Sequence, residues 1–415
     1  MSEIIVHKFG GSCLRDSDDL DRIAEIITSF EGRPIVVVSA LWGMTDRLIR
    51  AANDSIYAGK LVRDLKSQHL RFAPGLDQGP FKELFNKVMD GISTELVQLS
   101  TDGASVRSRN LILAAGERLS ALVVAHRLHE LGLDAHPIGA EDIGLKLKGK
   151  GSACRIDIER SNETLDRSVL VGVPILTGWF GEGEDGELAL LSRGGSDHSA
   201  AAFANLMGAE KLVLWKDVDG IKRLNPRWGI ETDTVPYLGY GEATELSKHG
   251  TPVLHPATVE PLILDGIPLE IRNVNSDCSV APTMIGPDIS DSGFKAIGCQ
   301  PGVAILTSDN PLNSNLLSRL EEEDVTVWSL TSTPDQMRII IPSHYLHLID
   351  DIIDGGVEFK TAIISIIGAD EFFLPIAHEI ISVNEYGMRI IIETDDLTAS
   401  LESLYQSLFS RQDCK

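Results

Sequence analysis

The sequence is poor in cysteine and in positive charge, and it has no long apolar run. Its five cysteines, among 415 residues, form no C-x-x-C pair and follow no regular spacing, which argues against a disulfide scaffold and a zinc ribbon. No apolar run approaches the roughly 18 residues of a membrane span, and Met1 leads directly into an alternating apolar stretch rather than a secretory signal. We therefore expect a cytoplasmic protein.

Acidic residues outnumber basic residues in the chain as a whole. Lysine and arginine total 37 against 61 aspartates and glutamates, a formal net charge of −24. Such a surface repels nucleic acid and anionic membranes, which proteins bind through Lys and Arg. Residues 296–415 alone hold 19 acidic and 6 basic side chains, which indicates a second region with a different role. A polyanionic ligand must therefore bind at a local exception built from a few basic groups and backbone N–H groups.

Apolar β-branched runs alternate with stretches of helical periodicity. Residues 3–9 are typical of a strand, residues 10–12 of a turn, and the next apolar stripe predicts a helix beginning at 16–18. Residues 34–40 predict a second strand, and a second helix follows from Gly43. This order predicts an α/β fold with a mainly parallel sheet between helices, which binds ligands at the carboxyl ends of its strands.

The pattern continues to about residue 285 and then changes. We predict an α/β domain over 1–285, a linker over 286–295, where proline, glycine, serine and aspartate are frequent, and a smaller α+β tail over 296–415. The tail repeats a βαββα pattern weakly, at about 296–357 and 358–415, with a short helix expected near 373–378. Paired units of this kind form clefts that suit a small ligand.

Lys8-Phe9-Gly10-Gly11-Ser12 lies between the first strand and the first helix. Glycines without Cβ let backbone N–H groups point at an anion, and Lys8 adds a full charge at the end of the strand. A Gly-Gly turn is often only a turn. A lysine at the end of an apolar strand favours an anion site.

Ser192-Arg193-Gly194-Gly195-Ser196-Asp197 forms a second glycine-rich loop before an apolar helix. Arg193 offers two parallel donors to a carboxylate or phosphate, and Ser196 is positioned to cap the helix. The alternative is a capped surface loop. Two such loops in one α/β domain favour phosphoryl chemistry.

Lys216-Asp217-Val218-Asp219-Gly220 follows a further apolar strand. Carboxylates at this strand end could hold a magnesium nucleotide or hydrogen-bond a base, and the alternative is an ordinary turn. By contrast, residues 181–186 match G-x-G-x-x-G only formally. Their variable positions are acidic and no helical pattern follows, so we predict an exposed hairpin loop.

Together, these motifs and three others resemble the aspartate kinase family. Six segments match in order over residues 3–285: 6–12, 39–45, 115–117, 192–197, 216–220 and 253–256. The resemblance implies an amino-acid-kinase fold, the transfer of the γ-phosphoryl group of ATP to the β-carboxylate of L-aspartate, and a tail of two ACT-like units. It also implies the first step of aspartate-family amino-acid biosynthesis, toward lysine and threonine.

The resemblance assigns roles to single residues. Lys8 and Asp197 are the expected catalytic pair, with Lys8 along the phosphates and Asp197 organising it. The substrate residues would be Ser39, Thr45, Glu117, Arg193, Gly194 and Ser196, with Glu117 on the α-ammonium group and Arg193 on a carboxylate. The ATP residues would be Lys8, Gly10, Gly11, Ser12, Lys216, Asp217, Lys222 and Arg227, with magnesium carried by ATP rather than by a protein metal site.

The chain departs from the family pattern at the expected nucleotide side. Lys222 stands where the family usually has tyrosine, Asn225 replaces aspartate, and Pro252 replaces the common lysine before Val-Leu-His-Pro. The loss of that lysine should weaken nucleotide binding, although Lys222 could substitute for it. Two alternatives stay open: a kinase of another amino acid, and a catalytically silent amino-acid sensor. The tail implies an amino-acid effector and a homodimer or larger homo-oligomer.

Overall fold

A computed structural model describes residues 3–102, 105–151, 154–192, 194–248, 254–277, 279–289, 293–323, 325–351, 353–368 and 374–409. It divides into two compact units. The first consists of residues 1–220 and 257–286, and the second of residues 221–256 and 287–415. The second unit thus includes residues 221–256, which the sequence assigned to the first domain. The predicted boundaries at 285 and 295 stay a prediction.

The first unit alternates strands with helices. Its strands are β1 (Ile4–Phe9), β2 (Arg33–Val38), β3 (Ala135–Ile138), β4 (Leu147–Lys148), β5 (Arg155–Ile156), β6 (Val173–Thr177), β7 (Phe180–Glu182), β8 (Leu188–Leu190), β9 (Lys211–Lys216), β11 (Leu269–Asn273) and β12 (Thr283–Gly286); β10 (Tyr237–Gly239) belongs to the second unit. The helices are α1 (Asp18–Ser29), α2 (Met44–Asn53), α3 (Ser55–Phe72), α4 (Lys82–Asp102), α5 (Val106–Glu130), α6 (Ile158–Thr164), α7 (Gly195–Leu206) and most of α9 (Pro256–Ile263).

The predicted parallel sheet is confirmed. Strands of the first unit lie in the order β12-β11-β9-β1-β2-β6-β3, and all neighbours are parallel except β11 and β12. In β1, Lys8 lies opposite Val37 of β2 and Leu214 of β9. The carboxyl ends of β1, β2, β6 and β9 therefore meet at one edge, where ligands bind in such sheets.

Helices cover both faces of the sheet, because its central strands are buried along most of their length. The last five residues of β1 are buried, as are the last four of β2. Side chains that alternate along a strand point to opposite faces, so this burial requires cover on both sides. Helix α5 packs against β3 and β6, and α7 packs against β1 and β9. The site edge thus lies at the end of strands that helices cover on both faces.

Most predicted elements of the first unit are present. The acidic glycine segment is a hairpin, as predicted: β7 and β8 pair antiparallel around it. The cap predicted for Ser196 is wrong. Helix α7 begins at Gly195, with Gly194 as its N-cap in the left-handed region (φ 77°), so the N-cap lies two residues before Ser196, and no side chain caps the helix.

The second unit carries an antiparallel sheet. Its elements are β10, α8 (Tyr240–Lys248), β13 (Ala296–Ser308), α10 (Ser314–Glu322), β14 (Ser329–Ser332), β15 (Met337–Pro342), a 3-10 helix (Ser343–Leu348), β16 (Gly355–Ile367), β17 (Glu379–Asn384), β18 (Gly387–Ile392) and α11 (Leu397–Phe409). The strands from β13 onward lie in the order β14-β15-β13-β16-β18-β17. The long strands β13 and β16 pair at the centre of the sheet.

The two tail repeats are unequal. The first has a helix, α10, after its long strand, whereas residues 374–378 of the second form no helix. The helix predicted near 373–378 is therefore wrong over those five residues, and residue 373 lies outside the described residues. One apolar cluster of this unit joins Leu224 to Ile297, Cys299 and side chains of β16, β18 and α11. Residues near 224 therefore pack as part of the tail core.

Candidate functional site

Three charged side chains meet at the carboxyl edge of the parallel sheet. Nζ of Lys8, on β1, lies 2.5 Å from Oδ1 of Asp197, and Nζ of Lys216, the last residue of β9, lies 2.6 Å from Oδ2. Asp197 is in the first turn of α7. Only 5% of the Lys8 side chain, 8% of Asp197 and 17% of Lys216 are exposed. One carboxylate thus holds two ammonium groups on its two oxygens.

Burial and mutual attraction set the charge of this cluster. Burial disfavours ionisation of Asp197, but the ammonium groups of Lys216 and Lys8 outweigh it and hold the pKa of Asp197 well below its ordinary value. Burial lowers the pKa of Lys8, and the charge of Asp197 opposes that change. Two ammonium groups and one carboxylate leave a formal excess of one positive charge. The cluster therefore suits an anionic ligand.

The first glycine loop borders the ammonium group of Lys8. A Cβ at Gly10 would lie 3.5 Å from Nζ of Lys8 and 3.9 Å from the carbonyl oxygen of Trp215, the residue before Lys216. A Cβ at Gly11 would lie 2.9 Å from the carbonyl oxygen of Ala40. Ser12 follows in a single 3-10 turn at Gly11–Cys13. The predicted anion loop and the lysine cluster therefore share one place on the sheet edge.

The second glycine loop contacts the end of β6. A Cβ at Gly178 would lie 2.7 Å from the Cβ of Ser196, so the start of α7 packs directly on the chain after β6. Trp179, the next residue, has a φ of +73° and donates its ring N–H to the carbonyl oxygen of Leu191, at 2.8 Å. Arg193, a predicted substrate residue, lies outside the described residues.

Glu117 is a buried carboxyl group on α5 with one hydrogen bond. Its Oε1 accepts from the backbone N–H of Ala40, at 3.2 Å, and its Oε2 has no hydrogen-bond partner among the described residues. Burial, only partly opposed by that hydrogen bond, raises the pKa of Glu117 to about 8. An incoming cation would satisfy the second oxygen and favour the ionised form.

Ser39 and Thr45 lie on either side of Ala40, the hydrogen-bond partner of Glu117, in the sequence. Ser39 follows β2 and donates its backbone N–H to the carbonyl oxygen of Phe9, at 3.1 Å. Thr45 is in the first turn of α2 and is half-buried. The hydrogen bond from Ser39 to Phe9 therefore links the ends of β1 and β2 beside Ser39, a proposed substrate residue.

The remaining predicted nucleotide residues are divided between the two units. Asp217 lies after β9, where its Oδ2 accepts from Arg15, at 2.7 Å, in a largely exposed pair. Lys222 and Arg227 belong to the second unit. There, Nζ of Lys222 donates to Thr234, at 2.9 Å, and Nη2 of Arg227 donates to the carbonyl oxygen of Cys299, at 2.8 Å.

Sequence reasoning missed two features of this edge. It assigned Lys216 to the nucleotide without the contact to Asp197, and no motif marked the left-handed backbone of Trp179. The second had a weak signal, since glycine precedes Trp179 at the end of a strand. Within the described ranges, no group of three or more His, Cys, Asp or Glu side chains is arranged to hold a metal ion. No helix in those ranges combines the length and apolarity that crossing a membrane requires.

Comparisons with known proteins agree with this geometry. A sequence model of the amino acid kinase family matches residues 3–273. The chain is 28% identical to the chloroplastic aspartokinase 2 of Arabidopsis thaliana over 79% of its own length and 59% of the plant protein. It is also 28% identical to the lysine-sensitive aspartokinase 3 of Escherichia coli K12, over 74% of its length and 70% of that protein.

Solved structures show the same fold. The crystal structure of E. coli aspartokinase III in complex with aspartate and ADP superposes with a TM-score of 0.82 at 21% identity, over 98% of this chain and 100% of that one. Its complex with lysine and aspartate gives a TM-score of 0.77 over the same shares. The chain spans about three fifths of the length of its Arabidopsis aspartokinase 2 relative.

Proposed function

Because the chain belongs to the amino acid kinase family, we propose that it is an ATP-dependent aspartate kinase. It transfers the γ-phosphoryl group of ATP to the β-carboxylate of L-aspartate and yields 4-phospho-L-aspartate and ADP. The observation that carries the proposal is the buried cluster of Lys8, Asp197 and Lys216 beside the first glycine loop. The relatives named aspartokinase support the choice of acceptor.

The chemistry requires positioning and charge rather than a strong base. A β-carboxylate oxygen of aspartate attacks the γ-phosphorus, the bond to the β–γ bridging oxygen breaks, and that oxygen leaves on ADP. The acceptor is already ionised, so no proton has to be removed. Lys8 neutralises charge on the transferring group, and the N–H groups of Gly10, Gly11 and Ser12 surround its oxygens. Asp197 keeps Lys8 oriented for this role.

The buried carboxyl group of Glu117 is suited to the α-ammonium group of the substrate. An ammonium ion would supply the partner that Oε2 lacks and would ionise the carboxyl group. Arg193 would hold a substrate carboxylate, while Ser39, Thr45, Gly194 and Ser196 complete the pocket with hydroxyl and backbone groups. These assignments give aspartate two charged anchors, one at each end.

The nucleotide arrives as its magnesium complex. The carboxylates near the end of β9 are already engaged, Asp197 by two lysines and Asp217 by Arg15. Magnesium is therefore carried on the phosphate oxygens of ATP, where it offsets part of their charge. Lys216, Asp217, Lys222 and Arg227 border the nucleotide in this proposal.

The tail serves regulation and assembly in this proposal. Its two unequal repeats would bind an amino-acid effector and join two or more copies of the chain. The complex of E. coli aspartokinase III with lysine supports an amino acid as the class of effector. A place in the cytoplasm, within lysine or threonine biosynthesis, belongs to the same proposal.

A hydroxamate assay tests the function. The chain with ATP, magnesium and aspartate should release ADP and form an acyl phosphate that hydroxylamine traps, and Lys8→Ala should abolish both. Lys60→Ala, which removes an exposed lysine of α3, is the matched control and should retain the wild-type rate. A wild-type rate in Lys8→Ala would overturn the role of Lys8.

A panel of carboxylate acceptors in the same assay separates the alternatives. Turnover of another amino acid in place of aspartate would identify a different acceptor. Amino-acid binding by calorimetry without any ATP binding would identify a sensor.

A further inference from the structure

Lys216 occupies a position equivalent to that of Lys8 around one carboxylate. The two ammonium groups lie 2.5 and 2.6 Å from the two oxygens of Asp197, on adjacent parallel strands that end at the same edge. A lysine that only borders a nucleotide would be expected on the surface. Lys216 is instead largely buried, with 17% of its side chain exposed.

The cluster of Lys8, Asp197 and Lys216 has an excess of positive charge, which an anion would balance. Asp197 neutralises one ammonium group, and the second has no carboxylate of its own within the described part of the cluster. Glu117 contributes little negative charge at neutral pH, because burial raises its pKa to about 8. A largely buried cation without a counter-charge is unfavourable unless a ligand supplies one.

The place where that anion would lie is defined by the first glycine loop. A Cβ built on Gly10 would lie 3.5 Å from Nζ of Lys8 and 3.9 Å from the backbone carbonyl oxygen of Trp215, the residue before Lys216. Lys8 therefore borders this volume directly, and Lys216 pairs with the same carboxylate group, that of Asp197, as Lys8 does. ATP would present its terminal phosphoryl group there if the glycine loop binds phosphates.

One lysine of the resembled family pattern is missing from this chain, and Lys216 could supply the missing positive charge. Pro252 stands where the resembled motif carries a lysine, and it lies outside the described residues. Lys222, the other candidate for the missing charge, is held by Thr234 in the second unit. Lys216 is the lysine that the described structure brings to Asp197 beside Lys8.

We propose that Lys216 is a second catalytic lysine, which contacts the transferring γ-phosphoryl group together with Lys8. The inference rests on the proposed phosphoryl transfer. As the bond from phosphorus to the bridging oxygen breaks and the bond to the acceptor carboxylate oxygen forms, the equatorial oxygens keep their negative charge between the two ammonium groups. No proton is transferred, and the electron pair of the broken bond leaves on ADP. Asp197 holds both lysines at the required separation.

Kinetics of Lys216→Met against Lys211→Met provide the first test. Lys211 begins the same strand and pairs with Glu270 at the far end, so its loss should leave the kinetics unchanged. Removing a preorganised cation from the reacting group should lower kcat by about 100- to 1000-fold. Lys216→Arg, which keeps the charge, should recover at least about tenfold of that loss. A raised KM for ATP with an unchanged kcat would overturn the proposal, because it indicates a residue at the nucleotide edge.

Nucleotide binding provides a test that needs no acceptor. Calorimetry with magnesium ATP and magnesium ADP should show that Lys216→Met weakens ATP binding at least about tenfold more than ADP binding, since only ATP has the γ-phosphoryl group. Equal weakening of both nucleotides, or of neither, would overturn the inference. If the wild type binds ATP but does not phosphorylate aspartate, the proposed acceptor fails while the ATP-to-ADP comparison still decides the role of Lys216.

Discussion

The raised pKa of Glu117 predicts that aspartate binding depends on pH and releases a proton. With a pKa of about 8, the free carboxyl group is protonated in about nine tenths of the molecules at pH 7. An α-ammonium group pairs with the ionised form, so binding must first remove that proton. Aspartate should therefore bind about tenfold more tightly at pH 7 than at pH 6, and the gain should level off above pH 8.

Calorimetry in buffers of different ionisation enthalpy counts the released protons. We expect about 0.9 proton per aspartate bound at pH 7 and about 0.1 at pH 9. Glu117→Gln keeps the shape but cannot ionise, so proton release should vanish. Loss of the charged hydrogen bond should weaken aspartate binding about tenfold to a hundredfold.

Glu130→Gln is the matched control, because Glu130 ends the same helix and pairs with Arg127 at its surface. This variant should keep the wild-type affinity, pH dependence and proton release. An aspartate affinity that does not change between pH 6 and 8 in the wild type would refute the reasoning, either in the protonation of Glu117 or in its contact with the substrate.

The same shift affects stability in a defined direction. The pKa of Glu117 is about 8 in the folded chain and 4.5 in its unshifted form. Between these values the folded state holds a proton that the unfolded state has lost, so this group makes the free energy of unfolding fall as pH rises from about 4.5 to 8. Denaturant titrations should show this fall in the wild type and not in Glu117→Gln.

Two further substitutions probe the glycine loop and the carboxylate between the lysines. Gly11→Ala places a Cβ 2.9 Å from the carbonyl oxygen of Ala40, so ATP affinity by calorimetry should fall at least about tenfold. Gly91→Ala is the control, because there is open space around the added carbon in α4. It should bind ATP normally and gain about 0.5–1 kcal/mol in unfolding free energy. Equal ATP affinity in Gly11→Ala and Gly91→Ala would contradict the assignment of the first glycine loop to ATP. Asp197→Asn leaves Lys8 and Lys216 without their counter-charge and should lower the free energy of unfolding by about 3–5 kcal/mol. Chemical denaturation measures this change, and wild-type stability in the variant would contradict the ion-pair account.

The strands and glycine loops of the sheet edge could be predicted from the sequence better than the helices between the motifs. Strand ends and glycine loops are local signals, so Lys8, Gly10 and Asp197 could be placed at this edge directly. Helices α3 and α4 were not predicted, although α4 buries apolar residues at helical spacing, including Phe85, Met89 and Ile92. This spacing is itself a helical signal, although neither helix carries a chemical motif.

Other features could not be predicted from local patterns. The contact between Lys216 and Asp197 depends on where helix α7 begins relative to the end of β9, which is a tertiary property. The cap expected at Ser196 failed for a related reason: Gly194 adopts the left-handed conformation, so the helix begins before the serine. The inclusion of residues 221–256 in the second unit arises from contacts more than 70 residues apart in sequence, such as that of Arg227 with Cys299.

The inclusion of residues 221–256 in the second unit determines how the chain can be divided for experiments. The backbone N–H of Ile297 bonds the carbonyl oxygen of Arg223, at 2.6 Å, and Leu224 is fully buried in the apolar cluster of the tail. A fragment that starts at residue 296 would expose the surface that Leu224 covers, and a fragment that stops at 285 would leave Leu224 without its neighbours. Neither piece is a natural folding unit, so misfolding of either fragment would say nothing about the intact protein. A tail expressed with residues 221–256 fused to its start preserves the core that the whole chain builds.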